Sequence, residues 1–73
     1  MRETIASTFG VDKEDLPETV SQGTVPQWSS LTHVMLLAAL EEQFGVRLGM
    51  QEMASMTSLD AILSALRRHG VAA

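Results

Sequence analysis

Between Ser29 and Gly45 the chain sets apolar side chains at the spacing of an α-helix, and this stretch limits the fold more than any other feature. Leu31, Val34, Leu37 and then Leu40 or Ala38, with Phe44, recur every three or four residues, while Leu36, Leu40 and Phe44 form a second row at i, i+4. A helix with such rows must bury one side against other elements. Ser29 and Ser30 precede them, and either can cap free backbone N–H groups. Gly45 follows as a terminator, so the spacing predicts a helix over 30–44.

The rest of the chain offers packing partners. Ile5 and Phe9 lie four residues apart in a short predicted helix over 2–9, which Gly10 stops. Over residues 11–27 the period is lost. Asp12, Pro17, Ser21, Gly23 and Pro26 punctuate a long connection in which Leu16, Val20 and Val25 can fold back as apolar plugs. Val46 and Leu48 carry the apolar pattern across an irregular link, and residues 50–54 make one helical turn with Met50 and Met53 expected to point inward. Thr57 followed by Asp60 is a capping signature. Behind it Leu59, Ile62, Leu63 and Leu66 form an amphipathic stripe that ends in Arg67, Arg68, His69 and Gly70, where cations suit the negative end of the helix dipole. The expectation is an all-α chain with three longer helices, one short helix and a long first loop. Leu36, Leu40, Phe44, Leu59, Ile62 and Leu66 should share one core.

Composition narrows the function classes. A chain of 73 residues makes one domain over 1–73, too small for a large catalytic cleft. It has no cysteine, which removes disulfides, thiolate metal sites and cysteine nucleophiles together, and its two histidines cannot close a structural metal site alone. Five Lys and Arg against nine Asp and Glu give a net charge of −4, the wrong sign for a nucleic-acid backbone. The stretch from Val34 to Leu40 is far shorter than the ~20 apolar residues that span a bilayer, and no long apolar run follows Arg2, so a cytoplasmic protein with no membrane partner is expected.

The segment Trp28-Ser29-Ser30-Leu31-Thr32-His33-Val34 resembles the Trp-Asp-Ser-Leu signature of acyl carrier proteins, and the likeness continues through Ala39-Leu40-Glu41-Glu42-Gln43-Phe44-Gly45-Val46. Phe9-Gly10-Val11-Asp12 with Leu16 is similar to the end of a carrier's first helix, and residues 56–66 to its last helix. The resemblance implies a small four-helix bundle of acyl-carrier type with a long loop between helices one and two. It implies that Ser30 receives 4'-phosphopantetheine from coenzyme A, and that the chain, itself no enzyme, carries acyl intermediates as thioesters. The implied partners are a phosphopantetheinyl transferase and the acyl-loading and acyl-transferring enzymes of a biosynthetic pathway, met by a stand-alone monomer. Ser29 stands where the family usually has aspartate. An aminoacyl carrier, or a carrier-like interaction domain without the arm, are the alternatives.

Around Ser30 each residue has a plainer role to set against a functional one. A serine before an apolar helix is ordinarily an N-cap, and for Ser29 that stays the default. The surrounding signature moves Ser30 to the attachment role. His33, three residues on, suggests a serine–histidine dyad, but one helix seldom holds nucleophile, base and orienting group together, so an exposed or partner-facing histidine is expected. Trp28 reads as a loop anchor. Glu41 and Glu42 are a solvated helix face that, by the resemblance, also meets basic patches on partner enzymes. Ser29, Leu31 and Met35 complete the expected partner-binding set. The methionines at 35, 50, 53 and 56 read as flexible core filler.

Overall fold

The computed structural model describes residues 1–71. Four helices follow in order: α1 (Arg2–Phe9), α2 (Ser30–Phe44), α3 (Met50–Ser55) and α4 (Leu59–Arg68), with a single 3-10 turn at Lys13–Asp15. Among the described residues there is no strand, only an isolated antiparallel bridge between Ser21 and Ser58. The expected helices at 2–9 and 30–44 form with those bounds.

Local chemistry sets the ends of α2. Ser29 is the N-cap: its Oγ accepts the Thr32 N–H at 3.3 Å, and its own N–H donates to Thr32 Oγ1 at 2.7 Å, a reciprocal capping box. Thr32 Oγ1 also donates to the Gln27 carbonyl at 2.7 Å, which ties the cap to the loop before it. At the other end Gly45 adopts φ 64, a left-handed conformation that costs other residues steric strain, and its N–H closes on the Glu41 carbonyl.

One apolar core joins α1, α2, α4 and the long loop. Ile5 and Phe9 of α1, Leu36, Leu37 and Leu40 of α2, Met56, and Ile62, Ala65 and Leu66 of α4 are buried together. The long loop contributes Leu16, Val20, Val25 and Trp28, so the expected plugs do fold inward. Backbone bonds sew that loop to the start of α4: the Gln22 N–H donates to the Thr57 carbonyl and the Leu59 N–H to the Val20 carbonyl, both at 2.8 Å. Arg2 adds a brace that its sequence position does not advertise, donating to the carbonyls of Leu16 at 3.1 Å and Pro17 at 3.0 Å.

Several expectations are corrected. Phe44 and Leu59 pack against the core but are only half-buried, because each sits at a helix end on the rim of the bundle. The cap of α4 is Ser58 rather than Thr57: Ser58 Oγ accepts the Ala61 N–H at 3.1 Å, while the backbone of Thr57 is engaged by the loop. Met50 does not point inward but lies open to solvent, since α3 buries no residue of its own and meets the core through half-buried Met53 and the following Met56. Of the four methionines read as filler, Met56 is core, Met53 is at its edge, and Met35 and Met50 are exposed.

Candidate functional site

Ser30 is the first helical residue and is exposed, one position beyond a cap completed by Ser29 and Thr32. The first N–H along α2 to reach back to the cap carbonyl is that of His33, which donates to the Ser29 carbonyl at 2.9 Å. The backbone N–H groups of Ser30 and Leu31 precede that bond, in the first turn where the helix dipole is positive.

The residues beyond Ser30 overturn part of the expected inward row. Leu31 and Val34 are 71% and 64% exposed, and Met35 is 49% exposed. The covered side of α2 is instead Leu36, Leu37 and Leu40, with His33 and Phe44 at its margins. A helix that is apolar nearly all round, in a chain with three short partner helices, leaves one apolar face in water. Leu31, Met35, Ala38 and Glu42 are all exposed at i, i+4, i+7 and i+11, so that face is an apolar strip ending in an acid. Single exposed leucines are ordinary on protein surfaces; several apolar side chains side by side are less so.

The two acids differ. Glu42 is exposed, whereas Glu41 is half-buried and its Oε2 accepts the N–H of buried Leu48 at 2.8 Å, holding the link after α2 against the helix. Of the expected pair, Glu42 is the one that faces solvent freely.

His33 is neither exposed nor poised as a base. Its Nδ1 accepts the indole N–H of Trp28 at 3.0 Å, and its Nε2 lies 2.8 Å from the Met53 carbonyl, which can only accept. Both ring nitrogens are thus engaged away from Ser30, in a pairing that the Nε2–H tautomer satisfies. Trp28 is buried as a loop anchor, tilted against Phe9 with ring centroids 5.5 Å apart and stacked on His33 at 6.0 Å.

A second cluster fastens α3 to the end of α4. His69 Nε2 donates to Glu52 Oε1 at 2.8 Å, and Arg68 lies 3.6 Å from Glu52 Oε2. The hydrogen bond from His69 holds the Glu52 carboxyl below its ordinary value, with the charges of His69 and Arg68 adding to it and partial burial opposing. Lys13 of the 3-10 turn, bonded at 3.1 Å to Glu3 of α1, lowers that carboxyl too.

Ser30 lines neither of two surface recesses, one of about 200 Å³ at Val11, Leu16, Val25 and Pro26, the other of about 100 Å³ at Val20, Ser58 and Leu59. No helix among the described residues is long and apolar enough to cross a membrane. No family model and no curated protein matches the chain.

Proposed function

We propose that the chain is an acyl carrier protein whose Ser30 bears a 4'-phosphopantetheine arm. The observation that carries this reading is an exposed serine at the first position of α2, outside the cap, within a Trp28–Val34 segment that resembles the carrier signature. The residues fit the group. A transferase must reach the hydroxyl from solvent, and Ser30 is open to it. A phosphodiester on that oxygen would find backbone donors and the positive end of the dipole beside it. The arm, when bound, supplies the thiol that holds acyl groups as thioesters, in a chain with no cysteine of its own.

The chain's own residues position, and do not react. Ser29 and Thr32 fix the helix start, so that Ser30 projects from a rigid element. Activation of the hydroxyl falls to the phosphopantetheinyl transferase, consistent with His33 being occupied at both nitrogens. Acyl-loading and acyl-transferring enzymes dock, on this reading, along the strip that begins at Ser29 and Leu31, passes Met35 and ends at Glu42, with Glu41 behind it. The carrier acts as a cytoplasmic monomer on separate enzymes. The exposed apolar strip would equally serve an interaction domain without the arm, and one experiment separates the two. After co-expression with a promiscuous phosphopantetheinyl transferase, the intact protein should gain the mass of the arm and Ser30→Ala should not. A folded wild-type chain that gains no mass would leave the interaction domain as the function.

A further inference from the structure

We infer that His33 is a proton-operated latch on the junction leading into α2, closed while its ring is neutral and opened at Trp28 when the ring is protonated. The latch is built from the chain alone and stands whether or not Ser30 carries an arm.

The geometry admits one protonation state. Trp28 Nε1 can only donate, so His33 Nδ1 must offer a lone pair across the 3.0 Å between them. The Met53 carbonyl can only accept, so Nε2 must carry the proton across 2.8 Å. A second proton on the ring sets two N–H groups against each other at Trp28. No rotation of the ring relieves this, because both nitrogens are then donors. The Met53 half is unaffected in kind and becomes a charge-assisted bond. Protonation therefore breaks the relay on one side only, and the side released is the loop residue two positions before Ser30.

Trp28 cannot easily find a substitute. It is 3% exposed, packed on Phe9 and on the His33 ring itself, so its indole N–H would be left buried without an acceptor. The escape is outward movement of the indole, which strains the segment tied to α2 by the Thr32 to Gln27 bond. Neither group bonded to the ring is charged. The loop presents Trp28 and α3 presents a backbone carbonyl; Glu52, beside Met53, is taken by His69 and Arg68. On α2 the neighbours Ser29, Ser30, Thr32, Leu36 and Leu37 are uncharged, and its acids, Glu41 and Glu42, lie two turns further on.

The chain's single tryptophan is its own reporter. The test follows Trp28 fluorescence and hydrogen exchange of its indole N–H from about pH 8 to about pH 5. Expected is a reversible fluorescence change with helicity retained, and a loss of indole protection of about tenfold or more. His33→Gln, whose side chain has an acceptor and a donor but no titrating proton, should flatten both responses. His69→Gln, which alters only the α3–α4 contact, should leave both in place. Nitrogen-15 shifts of the wild-type imidazoles give a reading that needs no variant: at the high-pH end His33 should be the Nε2–H tautomer. A flat wild-type response, a response that survives His33→Gln, or an Nδ1–H tautomer at high pH would each overturn the latch.

Discussion

Ser29→Ala and Ser30→Ala alter neighbouring hydroxyls and should fail in opposite ways. Ser29 Oγ accepts one N–H, from Thr32, and at 3.3 Å that bond is at the long end. The group it frees is at an exposed helix start, where water replaces the lost partner, so the cost should fall in the lower half of the usual N-cap range, about 0.5–1 kcal/mol. The reciprocal bond survives, because its donor is the Ser29 backbone. In a domain of this size that corresponds to a fall in Tm of roughly 2–8 °C. Ser30 takes no part in the cap, and Ser30→Ala should change stability by no more than about 0.5 kcal/mol. Thr32→Val provides an internal check. It removes both the acceptor for the Ser29 N–H and the donor to the Gln27 carbonyl, and should cost more than Ser29→Ala. Thermal unfolding by far-ultraviolet circular dichroism on the unmodified proteins measures the three, and intact mass after co-expression with the transferase measures modification. Ser29→Ala should be destabilised yet modified, and Ser30→Ala stable yet unmodified. A Ser30→Ala protein less stable than Ser29→Ala, or a mass gain lost with Ser29 and kept without Ser30, would refute the division of labour.

Leu40→Ala, at a fully buried position, should cost about 2–5 kcal/mol, while Phe44→Ala, half-buried on the rim, should cost less than the ~3–5 kcal/mol of a core phenylalanine; denaturant unfolding ranks them. Glu41→Ala should lose about 1–3 kcal/mol with the carboxylate that accepts the Leu48 N–H, and Glu42→Ala no more than about 0.5 kcal/mol, in the same assay. Because the Glu52 carboxyl is held below its ordinary value of 4.5, its contribution to stability is present above that pH and is lost as the pH falls through the lowered folded-state value; the Tm of wild type should therefore exceed that of Glu52→Gln at neutral pH, and the two should converge in acid and in high salt. Met35→Glu should slow acyl transfer from a cognate loading enzyme without altering Tm, since an apolar recess on the partner would bury an unpaired carboxylate; transfer at or above the wild-type rate would point to a charge-led interface instead.

What the sequence could and could not disclose follows the range of the interactions. The bounds of α1 and α2 were legible because caps and stops are local: Ser29 with Thr32 three residues on, Gly10 and Gly45 free to turn left-handed. The loop plugs were legible too, since Leu16, Val20 and Val25 are isolated apolar residues among turn formers with nowhere else to go. The cap of α4 was not. Thr57 and Ser58 are adjacent hydroxyls, and the choice between them is made by the loop around residue 21, which engages the Thr57 carbonyl and crosses Ser58 from more than thirty residues away.

The same limit explains the candidate site. Periodicity shows that α2 is helical but, when apolar residues surround the axis, carries no information on which face is covered; that is decided by where α1, α3 and α4 lie. With Leu36, Leu37 and Leu40 inside, Leu31, Val34 and Met35 are turned out beside Ser30, a cost in exposed apolar surface that packing alone gives no reason to bear. His33 departs from its expected exposure for the complementary reason. Its partners are an indole five residues back and a carbonyl twenty residues ahead, and the second is out of reach of any local pattern. The residues that dress the start of α2 thus divide: Trp28, His33 and Thr32 are hydrogen-bonded to neighbouring elements and hold the helix start in place, and Ser30, Leu31, Val34 and Met35 are turned outward.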